Sequence, residues 1–293
     1  VERFLRDGGR EPDAGSATIV PERATRARVI AVAVPKGGTG KTTTTLNLGA
    51  ALAEAGHRVL LVDFDPQGSL SLSLGYDPDT EGPATTIYHA IRYYVENIEA
   101  RLGDVIRPIK PNLDLAPADV VLNVANNELV AARQGELVLR ELLASVRSAY
   151  DFILIDTLPY LGILVDNALY AADEVIIPTQ PQFLSTKSIK LIMRTINVLR
   201  KSGATPQLRV AGILLTQLQE QRLVDRHYRD TIRAAASENV PVFRTEIKLN
   251  ATIQKSQGTH PPQTVLDYDP KSEVANAYRA LAQEVLHATQ VLV

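Results

Sequence analysis

The stretch from residue 29 to residue 45 constrains the fold more than any other part of the chain. It opens with six apolar residues, VIAVAV, which predict a buried strand. A glycine-rich turn, PKGGTG, follows, and Lys41 and Thr42 then open a helix that we expect to run to about residue 55. Strand, glycine turn and helix form a phosphate-binding geometry, because glycines let backbone N–H groups approach an anion and the helix N-terminus favours negative charge.

The residues of the turn indicate how a nucleotide would be held. In this geometry Lys41 reaches the β- and γ-phosphates and the Thr42 hydroxyl binds Mg²⁺. The match to G-x-x-x-x-G-K-[ST] is not literal, because Pro35 stands where the first glycine would be and Lys36 adds a second lysine. The form K-G-G-T-G-K-T-T is a deviant Walker A motif, and it resembles the ParA/MinD family of P-loop ATPases. That resemblance implies ATP contacts from a continuous run: Lys36, Gly37, Gly38, Thr39, Gly40, Lys41, Thr42 and Thr43.

Carboxylates follow two further predicted strands. Residues 58–63 end at Asp63 and continue into Asp65 as D-F-D-P-Q-G, and residues 150–156 end at Asp156. Ligands of α/β sheets bind at this edge, and a buried strand that ends in aspartate is the Walker B pattern of a Mg²⁺ site. The resemblance assigns Asp63 to the Mg²⁺ shell beside Thr42 and Asp156, and Asp65 to the attacking water. Leu158 replaces the first proline that the family has after Asp156, which leaves the conformation of that loop open.

Later segments carry the resemblance more weakly. Residues 172–179 and 209–216 predict two more buried strands, separated by a long amphipathic helix over about 185–201. The family contacts the adenine from the end of the second of these strands and from a later loop, which assigns Gln217 and Asn250 to the base. Lys248 stands where the family has proline.

Composition excludes several classes of protein. The 293 residues contain no cysteine, so disulfides and cysteine-ligated iron–sulfur or zinc sites are excluded, and a reducing cytoplasm is the default expectation. No apolar run approaches about 18 residues, so we expect no transmembrane helix. Residues 1–27 are rich in charge, glycine and proline, and we expect a flexible tail, with a short arm that contacts DNA or a partner as the alternative.

Positive charge is concentrated in one region. Residues 187–255 hold 13 Lys and Arg against 5 Asp and Glu, although the whole chain has a net charge of −2. A helix expected over about 221–236 places four arginines on one face, which suits phosphate contacts and gives a slope of about −3.6 for log K against log[salt]. The alternative is a solvated face with local pairing to Asp225 and Asp230. The residues assigned to DNA are Arg222, Arg226, Arg229, Arg233, Lys248 and Lys255.

The last predicted helix, over residues 272–293, is amphipathic. The MinD branch of the family ends in a basic amphipathic helix that binds membranes. Here the last basic residue is Arg279, ahead of the final apolar turns, and a membrane-surface helix needs flanking lysine or arginine. We therefore expect the helix to pack against the core.

Alternating strands and helices with ligand motifs at strand ends predict an α/β fold: a doubly wound, mostly parallel sheet with helices on both faces, in a single domain over residues 28–293. The resemblance is strongest to short ParA/Soj-type partition ATPases without a helix-turn-helix domain. It implies a slow ATPase with catalytic Lys36, Lys41 and Asp65, in which ATP and Mg²⁺ are bound and Lys36 crosses to the partner's phosphates in a homodimer.

The function that this implies is a switch. The ATP-bound dimer would bind DNA non-specifically in a cytoplasmic, nucleoid-associated state, and a ParB-like partner would stimulate hydrolysis to partition a plasmid, chromosome or other cargo. One alternative is a MinD-like, membrane-associated positioning ATPase. Another is an ATP-dependent amide or carboxylate ligase, which shares this type of P-loop.

Overall fold

One eight-stranded sheet organises the chain in the computed structural model, which describes residues 26–77, 86–96, 101–236 and 240–290. The strand order is β3-β4-β2-β5-β1-β6-β7-β8, and only the β3–β4 pair is antiparallel. The strands are β1 (Arg28–Val32), β2 (Val59–Phe64), β3 (Arg107–Lys110), β4 (Leu113–Ala116), β5 (Phe152–Thr157), β6 (Glu174–Thr179), β7 (Arg209–Leu218) and β8 (Val242–Lys248).

Helices cover both faces of the sheet. They are α1 (Lys41–Glu54), α2 (Ser69–Ser73), α3 (Ile87–Val95), α4 (Leu122–Ala131), α5 (Val138–Ala144), α6 (Ile163–Ala171), α7 (Phe183–Lys201), α8 (Leu223–Ala234), α9 (Ala251–Gln257), α10 (Val265–Tyr268) and α11 (Glu273–Gln290). Short 3₁₀ turns lie at Leu102–Val105, Gly135–Leu137 and Arg147–Ala149. The doubly wound, mostly parallel α/β fold predicted from the sequence is confirmed.

Two apolar cores lie on opposite faces of the sheet. Along β1, Val29 and Ala31 belong to one core, and Ile30 and Val32 belong to the other. Both sets are fully buried, because side chains alternate between the faces of a strand and here each face is covered by helices. The first core packs under α3 to α8, and the second packs mainly under α1, α10 and α11.

The C-terminal helix is part of the second core. Its apolar face, which includes Val274, Tyr278, Leu281 and Val285, is at most 3% exposed and packs beside α1 and β8. Core packing of this helix, expected from the sequence, is confirmed. Among the described residues, none of the helices is long and apolar enough to cross a membrane.

The two edge strands, β3 and β8, were not predicted from the sequence. β8 reads VFRTEIK, in which Arg244 and Glu246 interrupt the apolar pattern, because one side of an edge strand faces solvent. β3 contains Pro108, which is tolerated at an edge because that backbone position need not donate to a neighbour. Residues 1–25 of the predicted tail, which was expected over residues 1–27, lie outside the described residues. Ala27 is buried, and its N–H donates to the Arg147 carbonyl oxygen at 3.2 Å.

Candidate functional site

The glycine turn wraps around the start of α1. Gly38 and Gly40 adopt φ values of 70° and 84°, in the left-handed region where glycine is favoured. The turn is closed by Lys41, whose Nζ donates to the Lys36 carbonyl oxygen at 3.1 Å. Burial lowers the pKa of Lys41, whereas the nearby charges of Asp156 and Asp65 act in the opposite direction. The lysine therefore lies in the concavity of the loop, beside the carboxylates at the strand ends.

Asp156 and Thr42 form the core of a Mg²⁺ site. Thr42 Oγ1 donates to Asp156 Oδ2 at 2.7 Å, and Thr45 Oγ1 lies 3.4 Å from the other carboxylate oxygen. Asp156 is fully buried, and burial together with the charge of Asp63 raises its pKa to about 8. A buried carboxylate beside a hydroxyl suits Mg²⁺, which takes one or two carboxylates together with waters and substrate phosphates.

This donor set depends on the nucleotide for its remaining ligands. Among residues 26–77, 86–96, 101–236 and 240–290, no cluster of three or more His, Cys, Asp or Glu side chains could hold a metal ion without help. The residues therefore fit Mg²⁺ bound together with a phosphate, and they do not form a metal cage made of protein alone.

Asp63 is held by a residue that the sequence did not single out. It lies opposite Asp156 in the β2–β5 pair, and its Oδ2 accepts from Ser71 N at 2.8 Å and from Ser71 Oγ at 2.7 Å. Burial raises the pKa of Asp63 to about 6, although these hydrogen bonds act against the rise. Ser71 Oγ also accepts from Ala118 N at 3.0 Å, so one serine joins Asp63 to the segment after β4.

Asp65 stays beside the site in a half-buried turn. One of its carboxylate oxygens accepts from Gln67 N at 3.0 Å, and its own N–H donates to Asp63 Oδ1 at 3.3 Å. This places a carboxylate just beyond the end of β2, at the sheet edge that also carries Asp156. The structure thus brings together the carboxylates that the sequence assigned to Mg²⁺ and water.

Lys36, the additional lysine, points away from its own loop. Its Nζ donates to Gln182 Oε1 at 3.2 Å and to Ser185 Oγ at 3.3 Å. Gln182 is the N-cap residue of α7, and Ser185 lies in the first turn of that helix. Lys36 is therefore held against the start of α7, whereas Lys41 fills the loop.

The two residues assigned to the adenine line one cleft of about 190 Å³ beside Gly40 and Thr43. Gln217 adopts a φ of 52°, and its Nε2 donates to the Gly38 carbonyl oxygen at 2.7 Å. Asn250 Oδ1 accepts from Thr252 N at 2.8 Å and so caps α9. Both side chains thus have structural partners as well as a place at the cleft.

Gln180 is a further residue bound to the glycine turn that the sequence did not reveal. Its Nε2 donates to the Gly38 carbonyl oxygen and to Gln217 Oε1, each at 2.7 Å. Because Gln180 follows β6 and Gln217 lies near the end of β7, the pair ties two neighbouring strands to the glycine turn.

Half of the six basic residues assigned to DNA are held in ion pairs. Arg229 pairs with Asp230 at 2.9 Å, and Arg233 pairs with Glu246 at 2.6 Å. Lys248 pairs with Glu220 and Glu273 at 3.3 and 2.6 Å. The structure therefore divides the basic set into a paired half and a half without ion pairs among the described residues, namely Arg222, Arg226 and Lys255.

The sheet order, the glycine turn at the start of α1 and the carboxylates at the ends of β2 and β5 define a P-loop nucleotide hydrolase. Comparison with known proteins then gives the family. A family model described as an AAA domain matches residues 27–210.

Relatives extend the match over most of the chain. The sporulation initiation inhibitor protein Soj of Bacillus subtilis is 35% identical over 262 residues, which cover 88% of this chain and 98% of that protein. The chromosome partitioning protein ParA of Caulobacter vibrioides is also 35% identical, over 88% of this chain and 94% of that protein.

A solved structure agrees with the sequence matches. The crystal structure of cobyrinic acid a,c-diamide synthase from Mycobacterium smegmatis, with bound ATP analogue and magnesium, superposes with a TM-score of 0.75 at 31% identity. The match covers 90% of this chain and 96% of that one. The chain belongs to the ParA/MinD family of P-loop ATPases. It is an ATPase of the partitioning and positioning type, and its cofactors are ATP and Mg²⁺.

Proposed function

We propose that this protein is an ATP-dependent dimerisation switch that binds DNA without sequence preference and hydrolyses ATP slowly to partition or position a cargo. The observation that carries the proposal is the position of Lys36. Its ammonium group is hydrogen-bonded to residues at the start of α7, and Lys41 fills the concavity of the loop. Lys36 therefore does not fill its own loop, and we propose that it contacts the phosphates of a second protomer. The family resemblance of the deviant Walker A motif supports a role across a dimer interface.

The proposed roles at the site follow from charge and position. The loop amides, Lys36 and Lys41 stabilise phosphate charge, and Thr42 and Asp156 hold Mg²⁺, with Asp63 in support. Mg²⁺ neutralises charge that develops on the phosphates. Asp65 orients the water, because its carboxylate lies at the sheet edge beside the other two.

The nucleotide base is proposed to lie in the cleft beside Gly40. Gln217 and Asn250 line this cleft near the ends of β7 and β8, which supports the proposal that both contact the adenine. The phosphates would then lie along the run from Lys36 to Thr43, with the backbone N–H groups of Gly37, Gly38 and Thr39 facing them.

The proposed partners are a second copy of the chain, non-specific DNA and a cargo-bound protein of the ParB type that stimulates hydrolysis. The basic region and the chromosome partitioning function named for the Caulobacter relative support DNA as the matrix. The proposed location is the cytoplasm, in association with the nucleoid.

Light scattering with a non-hydrolysable ATP analogue tests the role of Lys36. The wild-type protein is expected to shift from monomer to dimer, whereas Lys36→Ala is expected to remain monomeric. A fluorescent form of the same analogue is expected to show that Lys36→Ala still binds nucleotide. Lys271→Ala removes an exposed lysine from a different part of the surface, and this control should dimerise normally. If Lys36→Ala dimerises as fully as the wild type, the cross-subunit role is wrong.

A MinD-like membrane protein is the first alternative, and the structure weighs against it. The apolar face of α11 is already buried against α1 and β8, so that face would have to leave the core to enter a bilayer. Sedimentation with anionic liposomes in the presence of ATP decides between them, because the proposed function predicts that the protein stays in the supernatant.

An ATP-dependent amide synthase is the second alternative, and the likeness to the Mycobacterium smegmatis cobyrinic acid a,c-diamide synthase favours it. Such an enzyme needs a small carboxylic acid as co-substrate. ATP turnover that a small acid and an amide donor accelerate, and that DNA leaves unchanged, would support the synthase.

A further inference from the structure

A groove of about 630 Å³ lies between α7 and α8, over β7. It follows α7 from Thr186 to Lys201, a span of about 22 Å at 1.5 Å per residue. Its floor is apolar and is formed by Ile189, Met193, Val198, Ile213, Ile232 and Val240. Val198 is 59% exposed, so the apolar lining is open to solvent at this residue, whereas Ile213 and Ile232 are buried.

Three cations on α7 line the same groove: Lys190, Arg194 and Lys201. All three are exposed. Among the residues that the structure describes, none that lines the groove is acidic, and none forms an ion pair with these three cations. Their spacing of four and seven residues puts them on one side of the helix, at intervals of about 6 and 10 Å along its axis. An apolar floor thus runs beside three cations that have no ion-pair partner among the described residues.

We infer that this groove is a docking site for an amphipathic helix of a partner protein, one that carries an apolar row flanked by acidic residues. In helix-in-groove recognition an apolar face enters a hydrophobic groove through side chains spaced three, four and seven residues apart. Carboxylates at spacings of four and seven residues on such a helix match the three cations on α7. The inference goes beyond the proposed DNA switch and does not depend on it.

Other occupants fit the groove less well. An acyl chain could cover the floor, but its single head group would meet one of the three cations. A DNA backbone could meet the cations, but phosphates gain nothing from an apolar floor that includes Met193 and Val198. A helix satisfies both features along the whole length of α7.

The groove is joined to the nucleotide site through α7 itself. Gln182 and Ser185, at the start of this helix, hold Lys36 of the glycine turn. A partner bound to the later turns of α7 would therefore contact the same helix that holds Lys36.

Selection from a displayed helix library tests the inference on the full chain. The library presents a single helix with Leu or Ala at its apolar positions and an unbiased choice of Glu, Lys, Gln or Ala at the flanking ones. The selected helices are expected to be enriched in Glu at spacings of four and seven residues. Enrichment in Lys, or no charge preference at all, would overturn the inference.

Variants then place the binding site. The affinity of the best selected peptide, measured by fluorescence anisotropy, is expected to fall at least about tenfold with Lys190→Glu/Arg194→Glu and at least about fivefold with Val198→Asp. The control Arg133→Glu/Lys271→Glu makes the same charge change on exposed residues outside the groove, and it should stay within about twofold of wild type.

Thermal unfolding confirms that each variant is folded before its affinity is compared. Equal losses in both double variants would show non-specific charge attraction and overturn the inference. Loss of binding to a DNA duplex with Lys190→Glu/Arg194→Glu, while peptide binding and the response to Val198→Asp stay unchanged, would assign the surface to DNA instead.

Discussion

If the protein binds DNA as proposed, the salt dependence of binding is expected to follow the number of basic side chains that have no acidic partner among the described residues. A cation that already pairs with a carboxylate releases few counterions from DNA, whereas a free one contributes about −0.9 to the slope of log K against log[salt]. Arg229, Arg233 and Lys248 are paired. The other three predicted contacts give a slope of about −2.7 per protomer, in place of about −5.4 for all six.

The two slopes differ greatly over an accessible range of salt. Between about 50 and about 200 mM, a slope of −2.7 lowers affinity about 40-fold, and a slope of −5.4 lowers it about 2,000-fold. Fluorescence anisotropy with a labelled non-specific duplex and MgATP measures the difference. Arg226→Ala is expected to flatten the slope by about 0.9 per protomer, and Arg233→Ala is expected to leave it unchanged.

Arg233→Ala is the matched control, because it removes the same charge from the same helix. Its expected effect is a small loss of stability, up to about 1 kcal/mol, since it breaks the pair with Glu246 at 2.6 Å. If Arg233→Ala flattens the slope as much as Arg226→Ala does, ion pairing within the chain does not decide which arginines contact phosphate.

Three further predictions concern the carboxylates. Without metal, the free energy of unfolding is expected to fall as pH rises from about 4 towards 8. The reason is that the folded-state pKa values of Asp156 and Asp63 are raised to about 8 and about 6, so the fold favours their protonated forms. Asp156→Asn should flatten this pH profile in urea denaturation with chelator, and an unchanged profile would contradict the raised pKa of Asp156. Ser71→Ala removes the hydroxyl that donates to Asp63 at 2.7 Å, and it is expected to lower the free energy of unfolding by about 1–3 kcal/mol and to lower ATP turnover. Ser71→Thr, which keeps the hydroxyl, is expected to restore both. Unaltered stability and turnover in Ser71→Ala would show that Asp63 does not need this serine. Asp65→Asn is expected to keep ATP affinity within about twofold and lower phosphate release at least about 100-fold, and a matching loss of affinity would show that Asp65 binds ATP and does not act on water.

Most of the features that the sequence predicted depend on residues that are neighbours in the chain. The apolar run, the glycine turn and Lys41 stand next to each other in the chain, so their geometry follows from neighbouring residues. The helix after the turn begins at Lys41, as the sequence indicates. Asp63 and Asp156 were predicted to share an edge because parallel strands end together, and they are register partners in the β2–β5 pair.

The features that were missed depend on residues far apart in the chain or on exposed surface. β8 lacks a continuous apolar run because it is an edge strand, so its pairing with β7 is visible only in the fold. Arg233 was assigned to DNA from its helical spacing alone, although its partner Glu246 lies on that unpredicted strand. The groove beside α7 was missed for the same reason, because it forms only when two helices and a strand are brought together.

The most direct test of the ATP-dependent DNA switch is binding to a non-specific duplex with ATP, with ADP and without nucleotide. Tight binding is expected only with ATP, and Arg222→Glu/Arg226→Glu is expected to weaken it. Binding that is equal in all three nucleotide states, or absent from all three while the protein dimerises normally with ATP, would contradict the proposal of an ATP-dependent DNA switch.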